Sequence, residues 1–454
     1  MDCRTLKRHE SAGFSVGARR RYQLRDYLNR RVLTMLALGF SSGLPFLLVA
    51  NTFGYWLREE GIALSAIGFL SWVGFAYSLK FLWAPLLDRM DVPGLAVLGR
   101  RRGWMVLSQV VIAIGLVAMA LSGTSHGLAQ LGICALVVAF SSATQDIAID
   151  AWRIESARDR DELGLLTSGY TFGYRAALLA SEAIILPIAQ RVGWNDAYLI
   201  YGAMMVIGLA ATLLATEPAR ADAVMDKKED EAPLWTPRGL FDAIAGPFIV
   251  FFRHHGAMAL LMLVAISLFQ IPNFVSGPMM NPMYVDLGLT KDMVGAVRGS
   301  IGLIGVFAGV AVGGLLPLRI GLVPALIVGG LGQIGGTMLY AVLPYAHDPV
   351  TFAAVMALDN FGISMAGITL VAYMSSLTSL GYTATQYALL SSVYALLGKF
   401  LKGFSGAAVE GLQSHFGQMH GYALFFIGCG VIGVPSLLLF TLLAQKVRKQ
   451  PVPA

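Results

Sequence analysis

Charge is scarce in this chain. Asp, Glu, Lys and Arg make up 13% of its 454 residues, against about 25% in an ordinary soluble domain. Cysteine is nearly absent. Cys3, Cys134 and Cys429 are odd in number and far apart, which excludes a disulfide framework and gives no metal-ligand spacing. There is no His-rich set, no nucleophile motif and no large catalytic loop. His254-His255 stands at the entrance of an apolar run with no acid close by in sequence. A membrane-embedded glycan or lipid transferase therefore lacks its machinery, and neither a metal nor a cofactor is expected. The basic N-terminus leads into a full-length apolar run without a small-residue cleavage site, so a removed signal peptide is not expected.

What is abundant is apolar. Hydrophobic residues reach 56% with 51 glycines, and the mean hydropathy is +0.67. Glycine at that level suits close helix packing in lipid. The expectation is an all-α membrane protein with many spans. The net charge of +6 does not point to nucleic acid, because the basic residues cluster between apolar runs, where topology explains them.

Runs long enough to cross about 30 Å of hydrocarbon recur twelve times. They lie near 32–56, 62–87, 104–122, 127–151, 163–190, 195–216, 257–285, 291–316, 320–344, 350–377, 384–412 and 420–444. Alternate loops carry the positive charge: Arg19-Arg20-Arg21, Arg100-Arg101-Arg102, Arg153, Arg158, Lys227-Lys228 and Lys446 to Lys449 fall on one side. Arg58, Arg191 and Lys291 are nearly all the other side holds. Both termini should be cytoplasmic. The organisation expected is a basic tail over 1–31, a six-helix bundle over 32–216, and a linker over 217–256 with an amphipathic stretch from Leu240 to Phe252. A second six-helix bundle then runs over 257–444, and a short tail over 445–454.

Two carboxylates interrupt the fourth run, in Gln145-Asp146-Ile147-Ala148-Ile149-Asp150-Ala151-Trp152. Four residues apart, Asp146 and Asp150 share a helix face. In hydrocarbon each would cost about 2.5–3.5 kcal/mol or more, so they must face protein or a hydrated path. The first hypothesis is a conduit for a polar solute. Asp150, close to the cytoplasmic end, can equally be a gate or a helix-end residue.

The chain also repeats itself. Leu165-Leu166-Thr167-Ser168-Gly169-Tyr170 leading to Arg175 answers Leu389-Leu390-Ser391-Ser392-Val393-Tyr394 leading to Lys399, at an offset of 224. Leu44-Pro45 answers Ile271-Pro272, and Gly61-Ile62 answers Gly288-Leu289, at an offset of 227. Two bundles related by an axis along the membrane normal are expected, with the solute between them. The repeat puts Arg175 and Lys399 at equal depth, as a clamp for carboxylates or phosphates. The alternative is structural ion pairing, Arg175 with Asp146 or Lys399 with Asp359. Lys80 or Arg175 beside Asp146 makes that carboxylate the first proton-coupling choice, with Asp150, Lys80 and Asp359 in the same set. Near span ends, Arg298, Lys402 and Glu410 can snorkel. Tyr170, Tyr174, Tyr394, Gln145, Gln270, Asn273, Asn360 and Gln386 offer polar groups to a cavity, or simply pack helices. Pro45, Pro272, Pro278 and Pro282 should kink the first and seventh spans.

Asp88-Arg89 followed by Gly99-Arg100-Arg101-Arg102-Gly103 resembles the loop signature of the major facilitator superfamily, with Ala84 in place of its first glycine and an insertion containing Pro93. The resemblance implies a gating role for Asp88 and Arg89, extended to Arg100 and Arg101 of the same loop. Gly39-Phe40-Ser41-Ser42-Gly43-Leu44-Pro45, the stretch from Lys80 to Arg89, the acidic string of the fourth run and Tyr382 to Leu390 resemble the AmpG-type anhydromuropeptide permeases. That resemblance implies a bacterial inner-membrane carrier with the major facilitator fold. It would import an anionic glycopeptide by proton-driven alternating access and work as a monomer. The wider family includes acetyl-CoA and siderophore carriers, so another large anionic conjugate is the alternative solute.

Overall fold

The computed structural model describes residues 29–84, 87, 90–124, 127–158, 160–218, 236, 252–253, 256–377 and 395–449. Among the described residues every regular element is helical. Two compact units are built from the described parts of the chain. The first draws on Met1–Leu47, Leu79–Ser181 and Asn195–Glu229, the second on Leu48–Ser78, Glu182–Trp194 and Asp230–Ala454.

The first unit holds α1 (Arg30–Leu48), α5 (Arg100–Ser122), α6 (Leu128–Ser156), α7 (Arg160–Leu179) and most of α8 (Ile185–Leu214). Val32, Met35, Met105, Ile149, Trp152 and Leu166 form its core. The second unit begins with α2 (Asn51–Glu59), α3 (Leu64–Leu70) and α4 (Phe75–Leu79). It continues with α9 (Ala257–Phe269), α10 (Ile271–Asp286), α11 (Lys291–Val297), α12 (Leu303–Ile320) and α13 (Leu322–Leu339). It ends with α14 (Pro349–Ser376), α15 (Ser405–Phe416) and α16 (Gln418–Lys449). Ile266, Phe269, Leu326, Leu370, Tyr373 and Phe440 form its core.

Nine helices among the described residues are long and apolar enough to cross a membrane. One of them, Leu165–Leu214, is 50 residues long and is broken at Gly193, where φ is 85°. An L-residue rarely adopts that conformation, so glycine ends one helix and the next begins beside it. The expected second span appears as a shorter apolar helix over Leu64–Leu79, interrupted by a 3-10 turn at Ser71–Gly74. The expected eleventh span lies partly outside the described residues. Backbone breaks follow Pro45, where α1 gives way to α2, and precede Pro272, where Gln270 separates α9 from α10.

The outward faces are apolar. Ile114, Leu121, Ile133, Val206, Ile304 and Phe307 are between 62% and 69% exposed, which suits hydrocarbon and not water. Lipid gives no hydrophobic drive between helices, so the interior relies on close van der Waals approach. Glycine supplies it. A Cβ added at Gly43 of α1 would lie 2.7 Å from the Tyr174 carbonyl of α7, and one at Gly169 would lie 3.0 Å from the Val32 carbonyl. Outside the spans, Asp348 starts α14. Its carboxyl accepts Thr351 Oγ1 at 2.6 Å and the amides of Thr351 and Val350 at 3.1 and 3.0 Å. These bonds, the Thr351 hydroxyl first, hold it below its usual carboxylate range.

Candidate functional site

The α1–α7 crossing brings polar groups together in the first unit. Ser41 and Ser42 of α1 face Gln145 and Asp146 of α6. Gln145 Nε2 donates to Ser41 Oγ at 2.9 Å, and Ser42 Oγ donates to Asp146 Oδ1 at 2.5 Å. The same Ser42 hydroxyl is 2.9 Å from the Tyr170 hydroxyl, and the Tyr170 and Tyr174 rings lie 6.0 Å apart. Lys80 is the cation that acts on Asp146, and Asp150 is the opposing like charge. Asp146 is 9% exposed. One buried carboxylate thus has a hydroxyl donor and a cation around it. One turn on, Asp150 pairs with Arg153 at 2.9 Å, and Arg153 caps the Tyr170 ring at 5.0 Å.

Below this cluster the basic loop is fixed to the bundle. Arg101 is buried, binds Glu155 through Nε and Nη2, and donates to the Leu87 carbonyl at 3.1 Å. Glu217 accepts the backbone amides of Arg101 and Arg102 at 2.7 and 3.1 Å, capping the N-terminus of α5.

In the second unit Lys399 donates to the Gly74 carbonyl at 3.2 Å and to Ser78 Oγ at 2.5 Å. Asp359 of α14 is buried at 2% exposure and takes a hydrogen bond from Tyr340. Arg298 stands in a π-helical turn, Arg298–Gly302, and Glu182 in another, Ala180–Ile184. Such turns are frequent at functional positions. Arg298 Nη1 is 3.9 Å from Glu182 Oε1 and donates to the Glu182 carbonyl at 3.2 Å, while Nη2 donates to Asn281 Oδ1.

Comparison with known proteins settles the family. The profile of the Major Facilitator Superfamily matches residues 26–401. The chain belongs to the major facilitator superfamily. It is 31% identical over 425 residues to the anhydromuropeptide permease of Escherichia coli K12, covering 93% of this chain and 81% of that one. It is 29% identical over 427 residues to the transporter AmpG 4 of Rickettsia conorii, covering 93% and 98%. The fold matches a bacterial homologue of the human lysosomal transporter Spinster at a TM-score of 0.67 and 15% identity, covering 94% and 99%. This major facilitator is thus a multi-pass membrane transporter and not an enzyme.

The structure sorts the residues expected for the site of this major facilitator. Ser42 unites Asp146 and Tyr170, with Tyr174 alongside. Arg175 is exposed and within electrostatic reach of Tyr174. Among the described residues neither anticipated structural pair forms, Arg175 with Asp146 or Lys399 with Asp359. Asn360 Nδ2 donates to the Gly302 carbonyl at 3.1 Å, a helix-packing bond. Gln270 is buried at the α9–α10 break, and Asn273 is half-buried one turn on. Arg298 and Glu410, expected to snorkel, instead bond to protein. Glu410 Oε1 accepts the Ser65 amide at 3.0 Å, one of the first-turn amides that α3 cannot satisfy internally. Asp88, Arg89, Tyr394, Gln386 and most of the Leu240–Phe252 stretch lie outside the described residues. Ser42, Glu155 and Glu217 carry no site role in the sequence reading, where Glu217 only opens the linker. A serine beside a glycine in an apolar helix carries no signal of its own, and the two glutamates read as ordinary loop charge.

Proposed function

We propose that this major facilitator imports anhydromuropeptides across the bacterial inner membrane, driven by protons flowing inward. The observation that carries the reading is the buried Asp146 carboxylate, bonded by Ser42 and acted on by the Lys80 cation. The cargo follows from the Escherichia coli permease, whose likeness runs over 93% of the chain. Twelve spans and cytoplasmic termini accompany it, in keeping with the loop charges. A sugar bearing several peptide carboxylates suits cationic contacts, a role that the sequence repeat offers to Arg175 and Lys399.

Asp146 takes a proton from the periplasmic side, which relieves Lys80 of its counter-charge, and returns it to the cytoplasm after the solute leaves. The energy is adequate. One elementary charge crossing 100 mV releases about 2.3 kcal/mol, enough for roughly fifty-fold accumulation before any pH difference is added.

The test is uptake of a purified N-acetylglucosaminyl-anhydromuramyl tripeptide into proteoliposomes under an inward proton gradient. Accumulation that collapses with a protonophore supports the reading. Uptake of ferric chelates or acetyl-CoA in preference to the glycopeptide replaces the cargo, and gradient-insensitive uptake removes the proton.

A further inference from the structure

Asp359 poses a different problem from Asp146. No cation lies within ion-pair distance of it among the described residues. It stands on α14 against α13, where glycine makes room: a Cβ at Gly336 would be 2.7 Å from the Asp359 Cα and 3.2 Å from its Oδ1. That oxygen has no hydrogen-bond partner among the described residues. The facing helix carries two more buried oxygens in the same condition, Gln333 Oε1 and Thr337 Oγ1. A bare carboxylate here would leave a buried charged oxygen without a partner, at several kcal/mol. A proton on Oδ1 removes the charge and supplies a donor.

A file of polar side chains leads away from the group. Tyr340 donates to Asp359, and Tyr284 donates to Tyr340 at 3.1 Å. The Arg298 guanidinium lies over the Tyr284 ring at 5.6 Å and reaches Glu182. Exposure rises at the far end of the file. Tyr284 is 1% and Tyr340 2% exposed, whereas the Arg298 and Glu182 side chains are 11% and 35%. The titratable and charged groups that face Asp359 are therefore Tyr340 directly and, behind it, Tyr284, Arg298 and Glu182.

We infer that Asp359 is a second proton-binding carboxylate of this transporter, linked through Tyr340 and Tyr284 to the Arg298–Glu182 contact. The proton comes from hydronium. An O–H bond forms at Asp359 Oδ1 as one breaks in hydronium, leaving water, and the reverse step gives the proton back with no change of oxidation state. With Asp359 ionised, both phenols point their hydrogens towards it and Arg298 is drawn over the Tyr284 ring. With Asp359 neutral, that pull is gone and Arg298 is freer to leave Glu182. Proton occupancy deep in α14 thereby biases the contact between two π-helical turns. This deepens the proton-driven reading, yet its decisive readout does not depend on transport.

The test is infrared difference spectroscopy of the purified protein during a pH titration, in an Asp146→Asn background that removes the other carboxyl. The expected result is a protonated-carboxyl stretch that shifts in heavy water, fades as pH rises, and is absent from Asp359→Asn. Tyr340→Phe should keep the band and move its midpoint, which a merely structural phenol would not do. A band unchanged by Asp359→Asn, or no titrating band in the parent, overturns the assignment. Should Asp359→Asn not fold, an unmoved midpoint in Tyr340→Phe or Tyr284→Phe overturns the linkage. Gradient-insensitive uptake by the wild type would strike only the import reading and leave the infrared result standing.

Discussion

Arg58 holds Asp286 with two parallel bonds, Nε to Oδ1 at 2.6 Å and Nη2 to Oδ2 at 2.7 Å. Tyr422 donates to the same Oδ2 at 2.7 Å. Within the second unit this joins the end of α2 to α10 and α16. A forked guanidinium–carboxylate contact is the strong form of an ion pair. The Asp286 side chain is 7% exposed and that of Arg58 20%.

Arg58→Gln should therefore be costly, because it leaves a desolvated carboxylate with a phenol as its main support. Breaking a fully buried pair costs roughly 3–5 kcal/mol, and the remaining exposure of Arg58 reduces this to about 2–3 kcal/mol. Thermal unfolding in detergent should show a fall of several degrees, and the double variant Arg58→Gln/Asp286→Asn should recover most of it. Equal losses in the single and double variants would show that the two side chains are not coupled.

Asp146→Asn separates proton coupling from solute movement. Asparagine fills the same space and still accepts from Ser42, so the α1–α6 contact persists. Uptake against a gradient should vanish while exchange of labelled for unlabelled glycopeptide continues. The comparison is accumulation against exchange in one proteoliposome preparation. Proton-driven accumulation at the wild-type level would take Asp146 out of the mechanism.

Much of this is legible in the sequence. A carboxylate four residues from another in an apolar run is conspicuous because lipid makes it expensive, and the structure indeed buries Asp146 among polar partners. Apolar length gave twelve runs, and the nine long helices of the described residues fall on ten of them, Leu165–Leu214 covering the fifth and sixth. The partners were another matter. Ser42, Tyr340 and Glu155 are common residues whose role depends on which helices meet, and hydropathy does not encode that. The break within the expected second span also escaped, because a 3-10 turn at Ser71–Gly74 leaves no mark on hydropathy.

The α1–α7 crossing predicts a sharp positional rule for glycine. Gly43→Ala places a methyl 2.7 Å from the Tyr174 carbonyl, and the backbone must shift to admit it. Overpacking of this kind costs about 1–3 kcal/mol. Gly314→Ala and Gly335→Ala are the controls, since nothing lies within 4 Å of either added carbon. The first should lower the unfolding temperature and the controls should not. A ranking in which all three behave alike would mean that this helix crossing is not close in solution.

Glu217 offers the last test, since the first residue of the expected linker caps the N-terminus of α5. Its two carboxylate oxygens take the Arg101 and Arg102 amides at 2.7 and 3.1 Å, groups that α5 cannot satisfy internally. Loss of such a cap costs roughly 0.5–2 kcal/mol, and the helix dipole adds about 0.3–1 kcal/mol for a negative charge in this place. Glu217→Ala should forfeit both contributions, whereas Glu217→Gln keeps an acceptor oxygen and forfeits mainly the charge. Unfolding temperatures should then fall in the order wild type, Gln, Ala. The gap between wild type and Gln should narrow as salt screens the charge, and the gap between Gln and Ala should not. A Gln variant as unstable as Ala at every ionic strength would assign the whole effect to charge and leave the two hydrogen bonds without energetic weight.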